Sequence, residues 1–108
     1  MIRLGAQIVH GAAIDAQTRC VHYRSEADIV AMRFHCCGDW YPCVRCHDEA
    51  VAHERTVWPA DDAEVQAGLC GACAQTMSIA LYRESVACPA CGAAFNPRCA
   101  LHHELYFA

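Results

Sequence analysis

Twelve Cys and His residues in this chain fall at the spacings a metal ion demands, and no other property of the sequence constrains its fold as tightly. They are Cys20 and His22, Cys36 and Cys37, Cys43, Cys46, His47 and His53, Cys70 and Cys73, and Cys88 and Cys91. Zinc takes four thiolate or imidazole ligands in a tetrahedron, and two donors a few positions apart on a tight turn supply half of that set without long-range strain. The donors therefore suffice for three closed sites, and Zn2+, three per chain, is the expected cofactor.

Composition shows why such cross-links are needed. A chain of 108 residues is one domain's worth and buries roughly 60–70% of the surface its unfolded form exposes. Only 8% of residues are aromatic, and much of the 56% hydrophobic share is Ala and ten Cys, so the apolar core is thin. Structural zinc contributes about 10–16 kcal/mol per site in finger peptides, and that binding energy is folding energy. The metal-free chain is expected to be largely unfolded.

Ten cysteines could also form a secreted disulfide scaffold. Spacing argues against it, because two Cys so close together rarely staple a fold, and His at ligand spacing serves zinc and not a disulfide. The stretch from Met1 to Val9 has Gly and Gln inside it and lacks the basic region of a signal peptide, so a reducing, cytoplasmic setting is expected. No apolar run approaches the ~20 residues of a membrane span, and no lipidation signal is present, so no membrane partner is expected. The formal charge is −4, and metallation carries it to about −7. With eight scattered Lys and Arg and no basic run, nucleic acid is excluded as a partner.

Along the chain, Ile2 to Val9 reads as a short strand and Ile29 to His35 as the best strand. From Cys43 to about Arg55 the spacing turns helical, with Cys43, Cys46, His47 and His53 near one face. A polar connector over residues 56–69, anchored by Trp58, is expected to hold one helical turn near Asp61, and Ile79 to Glu84 one or two more. The expected fold is a small, irregular, zinc-organised α+β domain spanning 1–108. Its parts are an arm and strand (1–19), two interleaved zinc sites (20–55), the connector (56–69) and a zinc-ribbon-like site with a C-terminal tail (70–108).

The ribbon-like site, Cys70, Cys73, Cys88 and Cys91, consists of two Cys-x-x-Cys knuckles with Gly71, Pro89 and Gly92 at the turns. The alternative, four unmetallated core thiols, does not explain that spacing. The upstream donors can be divided in several ways, since Cys36 and Cys37 would face different metals on a strand and one metal on a turn. The preferred division gives Cys20, His22, Cys43 and Cys46 to one ion and Cys36, Cys37, His47 and His53 to another, which keeps each local pair on one metal. Cys99, His10, His35, His102 and His103 are left over as a buried thiol and surface imidazoles. Asp48 or Glu49 could orient an imidazole, but a solvated helix face is the expected reading.

The run Cys20-Val21-His22-Tyr23, then Cys36-Cys37, Tyr41-Pro42-Cys43-Val44-Arg45-Cys46-His47-Asp48-Glu49, His53 and the two knuckles resembles the CHY-type zinc finger, over roughly residues 15 to 107. The resemblance implies three zinc ions and an irregular zinc-organised α+β fold. The C-terminal stretch from Phe95 to Phe107 is similar to free-standing members, among them a fungal helper of small Tim assembly and prokaryotic proteins, and not to the ubiquitin-ligase branch.

The function expected is a non-enzymatic zinc-binding module with structural metals whose surface binds a protein partner. The alternative is a zinc-exchange or thiol-redox factor, since a site of four cysteine thiolates, net charge −2, is the first that oxidants attack. A hydrolase with Glu49 as base would need one site of three protein ligands and a water, leaving a donor idle.

Overall fold

The computed structural model describes residues 2–11, 15, 17–20, 26–95 and 106–107. Strands β1 (Ile2–Leu4) and β2 (Gln7–Val9) form an antiparallel hairpin with Ile2 opposite Val9. Gly5, at φ +57°, makes the turn that splits what reads from sequence as one strand. β3 (Val30–Arg33) lies within the expected Ile29–His35 strand, and β4 (Trp40–Tyr41) follows it after a tight turn. Helix α1 (Val44–Ala50) comes next, then a 3-10 turn at Ala60–Asp62, β5 (Gln66–Cys70), β6 (Thr76–Ser78) and helix α2 (Ile79–Glu84).

All six strands form one sheet in the order β1-β2-β4-β3-β5-β6. Its pairings are antiparallel except between β2 and β4, which meet in parallel at Val9 and Trp40. Alternation along β3 divides the core between the two faces of the sheet. Met32 joins the larger cluster with Ile29, Phe34, Tyr41, Met77, Tyr82 and Phe107, whereas Ala31 packs with Val9, Trp40 and Leu69. Most buried cysteines belong to the larger cluster, so the prospective ligands and the apolar core occupy the same space.

One backbone turn occurs three times. At Cys70, Cys88 and Phe34 the carbonyl of residue i accepts from the amide of i+4 (Ala74, Gly92 and Gly38; 2.8, 2.8 and 2.7 Å), and the amide of i donates to the carbonyl of i+5 (Gln75, Ala93 and Asp39; 2.9, 2.9 and 3.0 Å). In each copy residue i+4 is left-handed, at φ +65°, +79° and +73°. Cys73, Cys91 and Cys37 thus hold equivalent places in three copies of one knuckle, and the turn carries Cys36 and Cys37 together.

Candidate metal centres

The first centre gathers Cys36, Cys37, His47 and His53. The Phe34–Asp39 turn presents both sulfurs, α1 carries His47, and His53 arrives from the chain just past the helix, which ends at Ala50 and not near Arg55 as the spacing suggested. The His47 Nε2 to His53 Nε2 distance is 3.3 Å, Cys36 Sγ lies 3.1 and 3.2 Å from those two nitrogens, and Cys36 and Cys37 sulfurs are 4.0 Å apart.

His47 is fully buried, stacked on Phe34 at 4.2 Å and edge-on to Tyr41 at 5.1 Å. Its Nδ1 donates to Asp48 Oδ1 at 2.9 Å. A carboxylate only accepts, so this contact puts the ring proton on Nδ1 and leaves the Nε2 lone pair facing the other donors. Arg55 in turn donates to Asp48 Oδ2. Partial burial would raise the Asp48 carboxyl, but the His47 and Arg55 contacts override that and hold it below its ordinary value of 3.8. The expectation of a merely solvated helix face at Asp48 is thereby corrected: an exposed residue next in sequence to a candidate donor has its carboxylate turned back onto that donor's ring. Glu49 is exposed.

The second centre brings together Cys20, Cys43 and Cys46, all buried. Cys20 and Cys43 sulfurs are 3.7 Å apart, and Cys43 caps α1 by accepting from the Cys46 amide at 3.4 Å. Hydrogen bonding to Cys20, with burial, pushes the Cys43 thiol far above its usual range, so it becomes a thiolate only when a cation joins it. The expected fourth donor, His22, lies outside the described residues.

The third centre is Cys70, Cys73, Cys88 and Cys91. Cys70 to Cys91 is 3.8 Å and Cys73 to Cys88 is 3.7 Å between sulfurs. Burial pushes Cys70 up to about 12, whereas at Cys88 the raising effect of burial is outweighed by amides of Cys91 and Ala90, bringing it to about 7. Cys91 is exposed, as His53 is in the first centre, whereas the described members of the second centre are all buried.

These distances test whether zinc fits. A tetrahedron with Zn–S bonds of about 2.3 Å has S···S edges of about 3.8 Å, and one with Zn–N bonds of about 2.05 Å has N···N edges of about 3.3 Å. The sulfur pairs of the second and third centres and the imidazole pair of the first match, while the S···N contacts at Cys36 fall short of the corresponding edge of about 3.6 Å. A disulfide would bring the sulfurs to about 2.05 Å, and all nine described cysteines are free thiols. Of the leftover residues, His10 approaches Asp39 and Tyr41, and His35 pairs with Thr56 Oγ1 at 2.7 Å beside Trp58. Among the described residues neither joins a cluster, and Cys99, His102 and His103 lie outside them.

A thin α+β sheet built around three clusters of Cys and His donors, two of them with four donors each among the described residues, defines a zinc-binding module. The chain belongs to the CHY zinc finger family, whose pattern matches residues 20–99, and it is not an enzyme. It is similar to Helper of Tim protein 13 of Kluyveromyces lactis, 39% identical over 99 residues that cover 92% of this chain and 87% of the relative. It is also similar to Helper of Tim protein 13 of Saccharomyces cerevisiae, 39% identical over 103 residues (92% and 89%). An uncharacterized protein of Schizosaccharomyces pombe is 39% identical over 99 residues (92% and 88%). Likeness to Helper of Tim protein 13 overturns the cytoplasmic expectation. Cysteine usage misled because metal-bound thiolates persist in compartments where free thiols would be oxidised. Among the described residues no helix is long and apolar enough to cross a membrane.

Proposed function

We propose that the chain is a zinc-stapled adaptor whose surface assists a protein of the Tim type in the mitochondrial intermembrane space. Its ligand sets are Cys20, His22, Cys43 and Cys46; Cys36, Cys37, His47 and His53; and Cys70, Cys73, Cys88 and Cys91. Residues 1–108 act as one folding unit, since β3 and β5 pair across the segments that carry the different clusters. The observation that carries this reading is the set of sulfur and nitrogen separations at tetrahedral edge lengths, found in a chain that aligns over 92% of its length with Helper of Tim protein 13. The test is replacement of the Saccharomyces cerevisiae relative by this chain. Restored Tim assembly, with three zinc ions per purified chain by elemental analysis, is the expected result. A folded, fully metallated chain that never restores assembly refutes the Tim role, and fewer than three zinc ions refutes the ligand sets.

A second reading, release of zinc to other proteins, is favoured by the exposure of Cys91. Under it, a chromophoric chelator draws one equivalent of zinc from the folded chain well before the other two. Release of all three only upon unfolding refutes it.

A further inference from the structure

The segment between helix α1 and Trp58 is anchored at its two ends. The Val51 amide donates to the His47 carbonyl at 3.1 Å, and the Trp58 indole donates to the Arg33 carbonyl at 2.8 Å. Between those anchors, residues 52–57 make no backbone hydrogen bond among the described residues. Only side-chain contacts fix such a stretch in place. Yet it carries His53, the one exposed donor of the first centre.

Two side chains just beyond His53 fasten it. Arg55 donates to Asp48 Oδ2, and the other oxygen of that carboxylate accepts from His47 Nδ1. Thr56 Oγ1 shares a hydrogen bond with His35 Nδ1 at 2.7 Å, and His35 is the residue before Cys36. Each fastening therefore lands on the immediate neighbour of another donor, Asp48 beside His47 and His35 beside Cys36. His53 Nε2 stands against the same two donors, 3.3 Å from His47 Nε2 and 3.2 Å from Cys36 Sγ. Within this centre Cys36 and Cys37 are held by the backbone bonds of a knuckle turn and His47 by a helix, whereas His53 belongs to neither.

Resting on the ligand set proposed for the first centre, we infer that Arg55 and Thr56 are positioning residues for His53, a two-point clasp that holds its imidazole at the ion site. Neither is a donor of the cluster. A ligand on a loosely held segment loses orientational freedom when it binds; a segment fastened beforehand has already lost it, so the ion leaves more slowly. A lone surface ion pair contributes little, but the Asp48 carboxylate is shared between Arg55 and the buried His47 ring, so one contact orders both histidines.

The test uses the full chain, loaded with cobalt to read the donor set of each ion from its visible absorption, and with zinc to time release to a chromophoric chelator. His53→Ala is the reference and should alter the band of one ion. Arg55→Gln and Thr56→Val should each speed release of one zinc by about three- to tenfold, leave the other two unchanged, and together approach His53→Ala. Arg55→Lys and Thr56→Ser, which keep the cation or the hydroxyl, should recover part of the retention. On an Asp48→Ala background Arg55→Gln should add less than about twofold, because its anchor is gone, whereas Thr56→Val should keep its effect. Glu54→Gln, between the donor and the clasp, should change nothing. Three metal ions per chain show that a variant is folded. Release from the Arg55 and Thr56 variants at the parent rate, or equal acceleration at all three sites, overturns the clasp. If His53→Ala alters the band while those variants release zinc normally, the ligand set stands and only the clasp falls; if His53→Ala changes neither band nor metal content, the ligand set is refuted and the clasp with it.

Discussion

Replacing Gly71 with alanine would place a methyl carbon 2.1 Å from the Gln17 carbonyl oxygen and 2.8 Å from that of Ile29. Both neighbours are backbone, so neither can swing aside, and relief requires the β5 end to move by about 1 Å against the segment leading to Cys20. That movement also stretches the bond from the Gly71 amide to the Ile29 carbonyl, now 2.6 Å. Overpacking costs about 1–3 kcal/mol and the lost hydrogen bond about 1, so Gly71→Ala should cost about 2–4 kcal/mol. Gly71 sits beside the proposed ligand Cys70 in the knuckle, so the cost should appear as zinc affinity weakened by about 30- to 900-fold at one site. Competition with a chromophoric chelator measures it. Gly92→Ala is the control: at φ +79° with nothing within 4 Å, it should cost only the left-handed penalty of about 1–2 kcal/mol. A Gly71→Ala cost no greater than that of Gly92→Ala would refute the close-approach reasoning.

Four further outcomes are expected. Asp48→Ala should free the His47 ring and weaken metal at that mixed site by about 10- to 100-fold, read from the absorption of the cobalt-substituted protein; an unchanged affinity would remove Asp48 from the site. Zinc affinity at the ribbon site should rise with pH between about 6 and 8, because Cys70, at about 12 without metal, must release its proton to bind, and protons therefore compete harder as pH falls; a pH-independent constant contradicts this. Ala74→Gly should stabilise the first ribbon knuckle by about 1 kcal/mol by removing a left-handed alanine, as thermal unfolding of the holo chain would show. Alkylation of the zinc-loaded chain should modify Cys91 first and the buried Cys43 and Cys46 last; early labelling of Cys46 would mean the second centre is open.

Helix and turn positions were readable where the signal is local. The α2 segment Ile79–Glu84 and the turn near Asp61 stood out because capping and turn chemistry act over a few residues, as Ser78 shows by accepting from the Leu81 amide at 3.1 Å. The sheet was far less visible. β4 is two residues long, β6 is three, and β5 contains Gly68, whose missing side chain leaves room for Met77 and Tyr82 but removes the strand signal. Helix α1 stops at Ala50, so His53 reaches its cluster from a loop that periodicity cannot describe.

The sequence by itself determined the metal chemistry, because donor type and two-to-three-residue spacing are properties of a single turn, and a chain so poor in large apolar residues has little else to fold around. Tertiary structure alone decided which distant donors share a point in space, that Asp48 faces inward to fix the His47 tautomer, and that a third copy of the knuckle turn hides at Phe34, where no cysteine marks its start. Those relations depend on distances between residues far apart in the chain, and distance in space is set by how β3 pairs with β4 and β5, not by any pattern written along one segment.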